Sequence, residues 1–249
     1  MQKILDDYRE QKQTVISQEL IGDEKNRPRA AYYSLVNHSQ DAAAFEQLLQ
    51  RAEKLQEESQ QQILLHLRAS DIGRKTVAAD FAQLKQHGLA SFLVVGGDRQ
   101  AGSDTFSSSL DLLRAVQAVG LSADFLLAST LDVNLSSKKN VEMVVDQALA
   151  KEAAGAKILI TQVFLSANDF LRVRQALKEV GSNLILVAGV MANPSQQQLN
   201  WVEKQLGLAV SDQWRENPGQ ASQDLVATLQ AQQVAGIHYF AAPKVVRQR

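Results

Sequence analysis

The chain alternates short apolar runs with longer stretches in which apolar residues recur every three or four positions. Apolar runs bounded by turn residues predict buried strands, and the three-to-four spacing predicts amphipathic helices. Strands are expected over residues 14–20, 30–36, 62–68, 122–129, 157–161, 183–189 and 236–240, and in the SFLVV run that begins at Ser91. Helices are expected over 40–59, 75–87, 107–119, 138–154, 167–180, 196–206 and 222–234, after a first dozen residues that read as a short polar helix or arm.

Eight strands alternating with helices in 249 residues predict an α/β protein built as a single (β/α)8 TIM-type barrel spanning 1–249. A doubly wound open sheet is the competing architecture. Neither a GxGxxG nor a GxxxxGK[ST] segment follows any strand, which removes its usual sequence support. One connection is anomalous: the loop IGDEKNRPR places only nine residues between the first two strands. A parallel crossover normally needs a dozen or more, so either the first helix is missing or the first strand is misplaced.

In parallel α/β proteins the groups just past the carboxyl ends of the strands face the active site. SFLVVGGDRQ therefore singles out Asp98, held behind Gly96 and Gly97 at a strand end where a ligand can approach the backbone closely.

Composition narrows the function classes. A hydrophobic share of 45% with a formal net charge of −1 lacks the basic footprint of a nucleic-acid binder. No apolar run approaches the length of a membrane span. The polar start MQKILDDYREQKQ has no signal-peptide core, so cytoplasmic residence is the expectation. There are no cysteines, and the four histidines lack the spacing of a helical zinc site, so no metal is expected.

Three stretches arrive in a telling order: HLRASD ending at Asp71, LVVGGD ending at Asp98, and AGAKILITQVFLSANDFLRVR through Gln162. Together they resemble the methylenetetrahydrofolate reductase family, with similarity running from about Thr14 to HYFAAPK. The resemblance implies a flavin-containing barrel that reduces the methylene group on a reduced folate, with FAD as cofactor and NAD(P)H as electron donor. It makes Glu19 the general acid, Asp98 the carboxylate beside the flavin ring, and Gln162 the substrate contact. It also puts His66, Gly97 and Lys151 on the flavin-binding wall.

The chain also departs from the family pattern. Gly96 stands where an Arg is usual, the fifth strand ends in LLASTLDVN, and Val144 replaces the Asp that holds the flavin ribityl chain. VAGVMANPSQQ replaces a proline-rich turn, with Gln196 near the folate-stacking Phe, and the loop before the last strand is shortened. These departures keep a second class open: a barrel without redox cofactor that binds a folate or a protein partner. A flavin-free methyl transferase acting on a pterin is a third. His238 and Tyr239 alternate on the last strand, so only one can line a barrel. Barrels of this kind often form homo-oligomers through their helices, but Gln- and Lys-rich helix faces single out no interface.

Overall fold

The computed structural model describes residues 2–10, 13–21, 27–96 and 104–240. Strands β1 (Val15–Leu20), β2 (Tyr32–Leu35), β3 (Ile63–Arg68), β4 (Ser91–Val95), β5 (Leu126–Leu131), β6 (Ile158–Thr161), β7 (Ile185–Met191) and β8 (Gly236–Phe240) lie in sequence order, each parallel to the next. β1 pairs with β2 on one side and β8 on the other, and this pairing closes the barrel. The helices are α1 (Gln2–Glu10), α2 (Ala42–Ser59), α3 (Val77–Gln86), α4 (Ser109–Ala118), α5 (Val141–Ala153), α6 (Ala167–Glu179), α7 (Gln196–Leu206), α8 (Asp212–Glu216) and α9 (Pro218–Ala231). Side chains of Asp41, Ser108, Asn140, Ser166, Ser195 and Asn217 each accept an N–H of the first turn they precede. Such caps are worth about 1 kcal/mol each.

Period-two alternation divides the strand side chains between two cores. Leu35, Leu65, Leu67, Phe92, Leu127, Leu159 and Ala188 pack outward with the apolar faces of the helices. Val15, Tyr32, Leu64, Leu93, Leu126, Ala128, Ile158, Ile160 and Val187 form the inner core with Ile4 and Leu5 of α1. Most of these inner residues sit near strand starts, so α1 plugs the amino end of the barrel. The Tyr8 ring, also on α1, meets Tyr32 edge-on at 6.2 Å.

The short first connection resolves in favour of the strand. β1 pairs with β2 in parallel, and Ala31 N–H donates to the Ile16 carbonyl at 2.8 Å. Among the described residues between these strands there is no helix.

Several boundaries differ from expectation. β5 starts at Leu126 because Ser122 to Asp124 form a turn, with Asp124 N–H bonded to the Leu121 carbonyl. It then continues through polar Ser129, whose hydroxyl donates to the Val94 carbonyl at 2.9 Å. β7 runs past Gly189 to Met191. A Cβ on Gly189 would stand 2.3 Å from the Thr161 carbonyl oxygen and 2.6 Å from the Phe240 ring, so glycine here serves close packing and not a turn. α9 starts at Pro218, in the first helical turn where a missing N–H costs nothing, and the short α8 before it was not anticipated.

Candidate active site

Moving up the inner face from the amino end, apolar side chains give way to polar ones. The alternation that places Val15 inward also places Ser17 and Glu19 inward, and on β3 it places His66 two residues after Leu64. Ser17 and His238 are register partners across the closing seam, and the Ser17 Oγ lies 2.9 Å from His238 Nδ1. Glu19 is the register partner of Ser34, whose Oγ lies 2.5 Å from His66 Nε2. The Glu19 carboxylate reaches within 3.8 Å of the same nitrogen, with its side chain only 11% exposed.

Burial dominates the electrostatics. It lowers the His66 pKa to about 4, helped by nearby His38, and the His238 pKa to about 3, helped by the charge His66 would carry. Both imidazoles are therefore neutral at neutral pH, and the approach of Glu19 to His66 is a polar contact and not an ion pair. His238 is fully buried, and its Nε2 has no hydrogen-bond partner among the described residues. Phe240 stands edge-on to its ring at 5.5 Å and rests over Gly189.

At the carboxyl ends of β2 and β3 a second polar group holds the rim. Arg68 Nε donates to Asp71 at 2.7 Å, Arg68 Nη2 donates to the Ser39 carbonyl at 2.6 Å, and Asn37 Nδ2 donates to Asp71 at 3.0 Å. The arginine is buried and paired within a network of fixed polar groups, so it acts as a brace for the loop.

Of the residues anticipated from sequence, the structure brings Glu19 and His66 together. Gln162 follows β6 directly, and its side-chain carbonyl accepts the Val163 N–H at 2.9 Å. Lys151 lies in the last turn of α5, where its amine donates to the Thr130 carbonyl at 2.5 Å and burial lowers its pKa to about 8. Gly97 and Asp98 lie outside the described residues. Sequence reasoning passed over Ser17 and Ser34 and gave His238 no role. The available signal was the two-residue spacing in SQE and in HYF, which puts Ser17 beside Glu19 and His238 beside Phe240 on one face.

A crevice of about 830 Å³ beside Tyr8, Thr14 and Gln233 opens at the opposite, amino end. Apart from Tyr8 its described lining has no titratable group, so the carboxyl-end cluster is the better chemical site. Among the described residues no group of three His, Asp or Glu could hold a metal ion, and no described helix is long and apolar enough to cross a membrane.

Comparison with solved structures places the architecture. An uncharacterized protein from Clostridium thermocellum that binds two copies of 5-methyl-5,6,7,8-tetrahydrofolic acid matches with a TM-score of 0.66 and 14% identity, over 97% of this chain and 94% of that one. An oxaloacetate acetylhydrolase matches at 0.59 and 12% identity, over 97% of this chain and 80% of its own. A 2,3-dimethylmalate lyase matches at 0.54 and 11%, over 96% and 80%. At these identities the likeness is one of fold. No curated protein matches the chain. The family model described as methylenetetrahydrofolate reductase matches residues 12–224, which include every strand but the last, and the chain belongs to that family.

Proposed function

We propose that this protein binds a reduced folate at the carboxyl end of its barrel and reduces the methylene bridge to a methyl group with electrons from NAD(P)H. The observation that carries the reading is the largely buried Glu19 carboxyl, 3.8 Å from a neutral His66 and two residues from the Ser17–His238 pair. Family membership and the methyltetrahydrofolate bound by the Clostridium thermocellum protein of like fold support the ligand class.

The reaction needs a proton on one nitrogen and a hydride on one carbon. As the bridge opens to an iminium, the departing nitrogen accepts a proton from Glu19, which is general-acid work open to a largely buried carboxyl. Hydride then adds to the iminium carbon and gives the methyl group. The NH2 of Gln162 donates to an acceptor on the pterin edge and orients the ring. The neutral His66 places no positive charge beside the Glu19 carboxyl.

The resemblance implies a flavin as electron carrier, with Asp98 and Gly97 at its ring. The described residues named for it fit poorly. Lys151 is turned to the Thr130 carbonyl, His66 Nε2 is engaged by Ser34, and Val144 is a fully buried hydrocarbon that offers no hydrogen bond to a ribityl hydroxyl. The same misfit favours a second reading, in which the barrel binds the folate without redox chemistry.

One assay separates the two. Purified protein is mixed with methylenetetrahydrofolate and NADH or NADPH, with and without added FAD, while nucleotide oxidation and methyltetrahydrofolate formation are followed. Folate-dependent oxidation with methyl product supports the reductase reading. Binding of methyltetrahydrofolate by calorimetry with no turnover under any of these conditions leaves the binding protein. Neither binding nor turnover removes both.

A further inference from the structure

The brace at the ends of β2 and β3 does not use every donor of Arg68. A guanidinium carries N–H groups on all three of its nitrogens. Arg68 Nε donates to Asp71 at 2.7 Å, and Nη2 donates to the Ser39 carbonyl at 2.6 Å and to the Ser39 hydroxyl at 3.3 Å. Nη1 has no hydrogen-bond partner among the described residues. It lies across the guanidinium from the Nε–H that meets Asp71, so the ion pair does not cover it. The side chain is only 10% exposed, yet Nη1 is not one of the sealed orphan atoms of the described residues, which are Gln62 Oε1, Ser70 Oγ and His238 Nε2. The open part of Arg68 therefore includes this nitrogen.

The strand aims it. Leu64 belongs to the inner core, so alternation carries His66 and then Arg68 to the same inner face of β3. The register partner of Arg68 is Val95, which also packs on the inner core. Two residues of strand place Arg68 roughly 7 Å beyond His66 toward the opening. The Glu19 carboxylate stands 3.8 Å from that histidine.

We propose that Arg68 is a specificity-determining residue: its Nη1 donates to a carboxylate oxygen of the ligand, which in a reduced folate belongs to the glutamate tail.

Charge and orientation both favour that group. A hydrogen bond to an ionised partner is roughly twice as strong as one between neutral groups, and Arg68 is a cation already stripped of most of its water. Asp71 also accepts from Asn37 Nδ2 at 3.0 Å, which holds the carboxylate on the Nε side and away from Nη1. The bridge nitrogen at Glu19 joins a pterin ring, which enters the barrel, to a benzoyl-glutamate tail, which leaves by the opening where Arg68 stands. Naming the tail as the anion rests on the folate reading above.

Calorimetry on the full-length protein tests this with two ligands, 5-methyltetrahydrofolate and 5-methyltetrahydropteroyl amide. The amide keeps the ring and the benzoyl group and carries no carboxylate. Wild type should bind the folate roughly 10–100-fold tighter, the ratio one charged hydrogen bond supports. In Arg68→Lys the single ammonium is taken up by Asp71 and the Ser39 carbonyl, so the brace survives while the preference falls to within a few-fold. The loss should come from folate affinity, with amide affinity little changed. Arg68→Gln/Asp71→Asn removes both charges of the pair together and should give the same result, so the test does not depend on one variant folding. Equal wild-type affinities overturn the inference and leave the folate reading standing. A preference that survives in either folded variant puts the carboxylate elsewhere and overturns it as well. Binding of neither compound removes the folate reading and the tail contact with it.

Discussion

The Ser17 hydroxyl and His238 Nδ1 meet at 2.9 Å across the first and last strands, so the bond that orders the candidate site also spans the seam where the barrel closes. Ser17→Ala should therefore act on stability and chemistry together. It leaves the fully buried His238 ring without its Nδ1 partner, a loss of about 1–3 kcal/mol. Urea unfolding checks this: a midpoint equal to wild type would show that the seam bond carries no net energy.

Acid sensitivity follows from the two neutral histidines. Their folded pKa values, about 4 for His66 and about 3 for His238, lie below the ordinary 6.5. As pH falls through 6.5 the unfolded chain binds protons that the folded one refuses, so stability present in full above 6.5 is lost progressively toward the folded values. Each unit of separation is worth about 1.4 kcal/mol per group. Unfolding free energy should drop measurably from pH 7 to pH 5, and the slope should be shallower in His66→Gln. An identical slope in that variant would contradict the assignment.

Glu19→Gln tests the proton donor under the proposed function. The amide keeps the shape and the contact beside His66 but has no acidic proton. Methylenetetrahydrofolate turnover should fall by about 10²–10⁴, the usual range for a general acid, with methyltetrahydrofolate affinity within a few-fold of wild type. Equal turnover by stopped-flow nucleotide oxidation would remove Glu19 from the mechanism.

Gly189→Ala probes the packing beneath Phe240. The new methyl would overlap the Thr161 carbonyl and the Phe240 ring, and backbone cannot retreat as a flexible side chain can. Overpacking of this kind costs about 1–3 kcal/mol. The melting temperature should fall, and because Phe240 packs edge-on to His238, the His238 imidazole resonances should move as well. A variant as stable as wild type would mean that the strand pair adjusts freely.

The plug offers a separate check. Ile4 is fully buried in the inner core although it lies in a short terminal helix. Ile4→Ala should cost about 2–5 kcal/mol if α1 is part of the cooperative unit. A loss of a few tenths in denaturant unfolding would mark α1 as an appendage.

The eight-strand alternation was legible in the chain because burial on both faces leaves a local signature: apolar runs such as ILLHL and KILIT, ended by turn residues, need no knowledge of what packs on them. Glu19 and His66 could be named because the resemblance to the reductase family falls on two such runs. Their proximity could not be read. Ser17 and His238 are separated by nearly the whole chain, and only closure of β1 on β8 makes them partners. Closure also decides that His238 faces inward while Tyr239 packs outward, since alternation specifies two faces without saying which is inside. It turned Gly189 from an expected strand end into a mid-strand close approach, and α1 from a short polar helix or arm into the plug whose Tyr8 reaches Tyr32. Local pattern determined the elements because secondary structure answers to nearest neighbours. The site was decided by the tertiary fold because a barrel brings its first and last strands into contact, and that contact sets both the desolvation and the hydrogen bonds of the histidine between them.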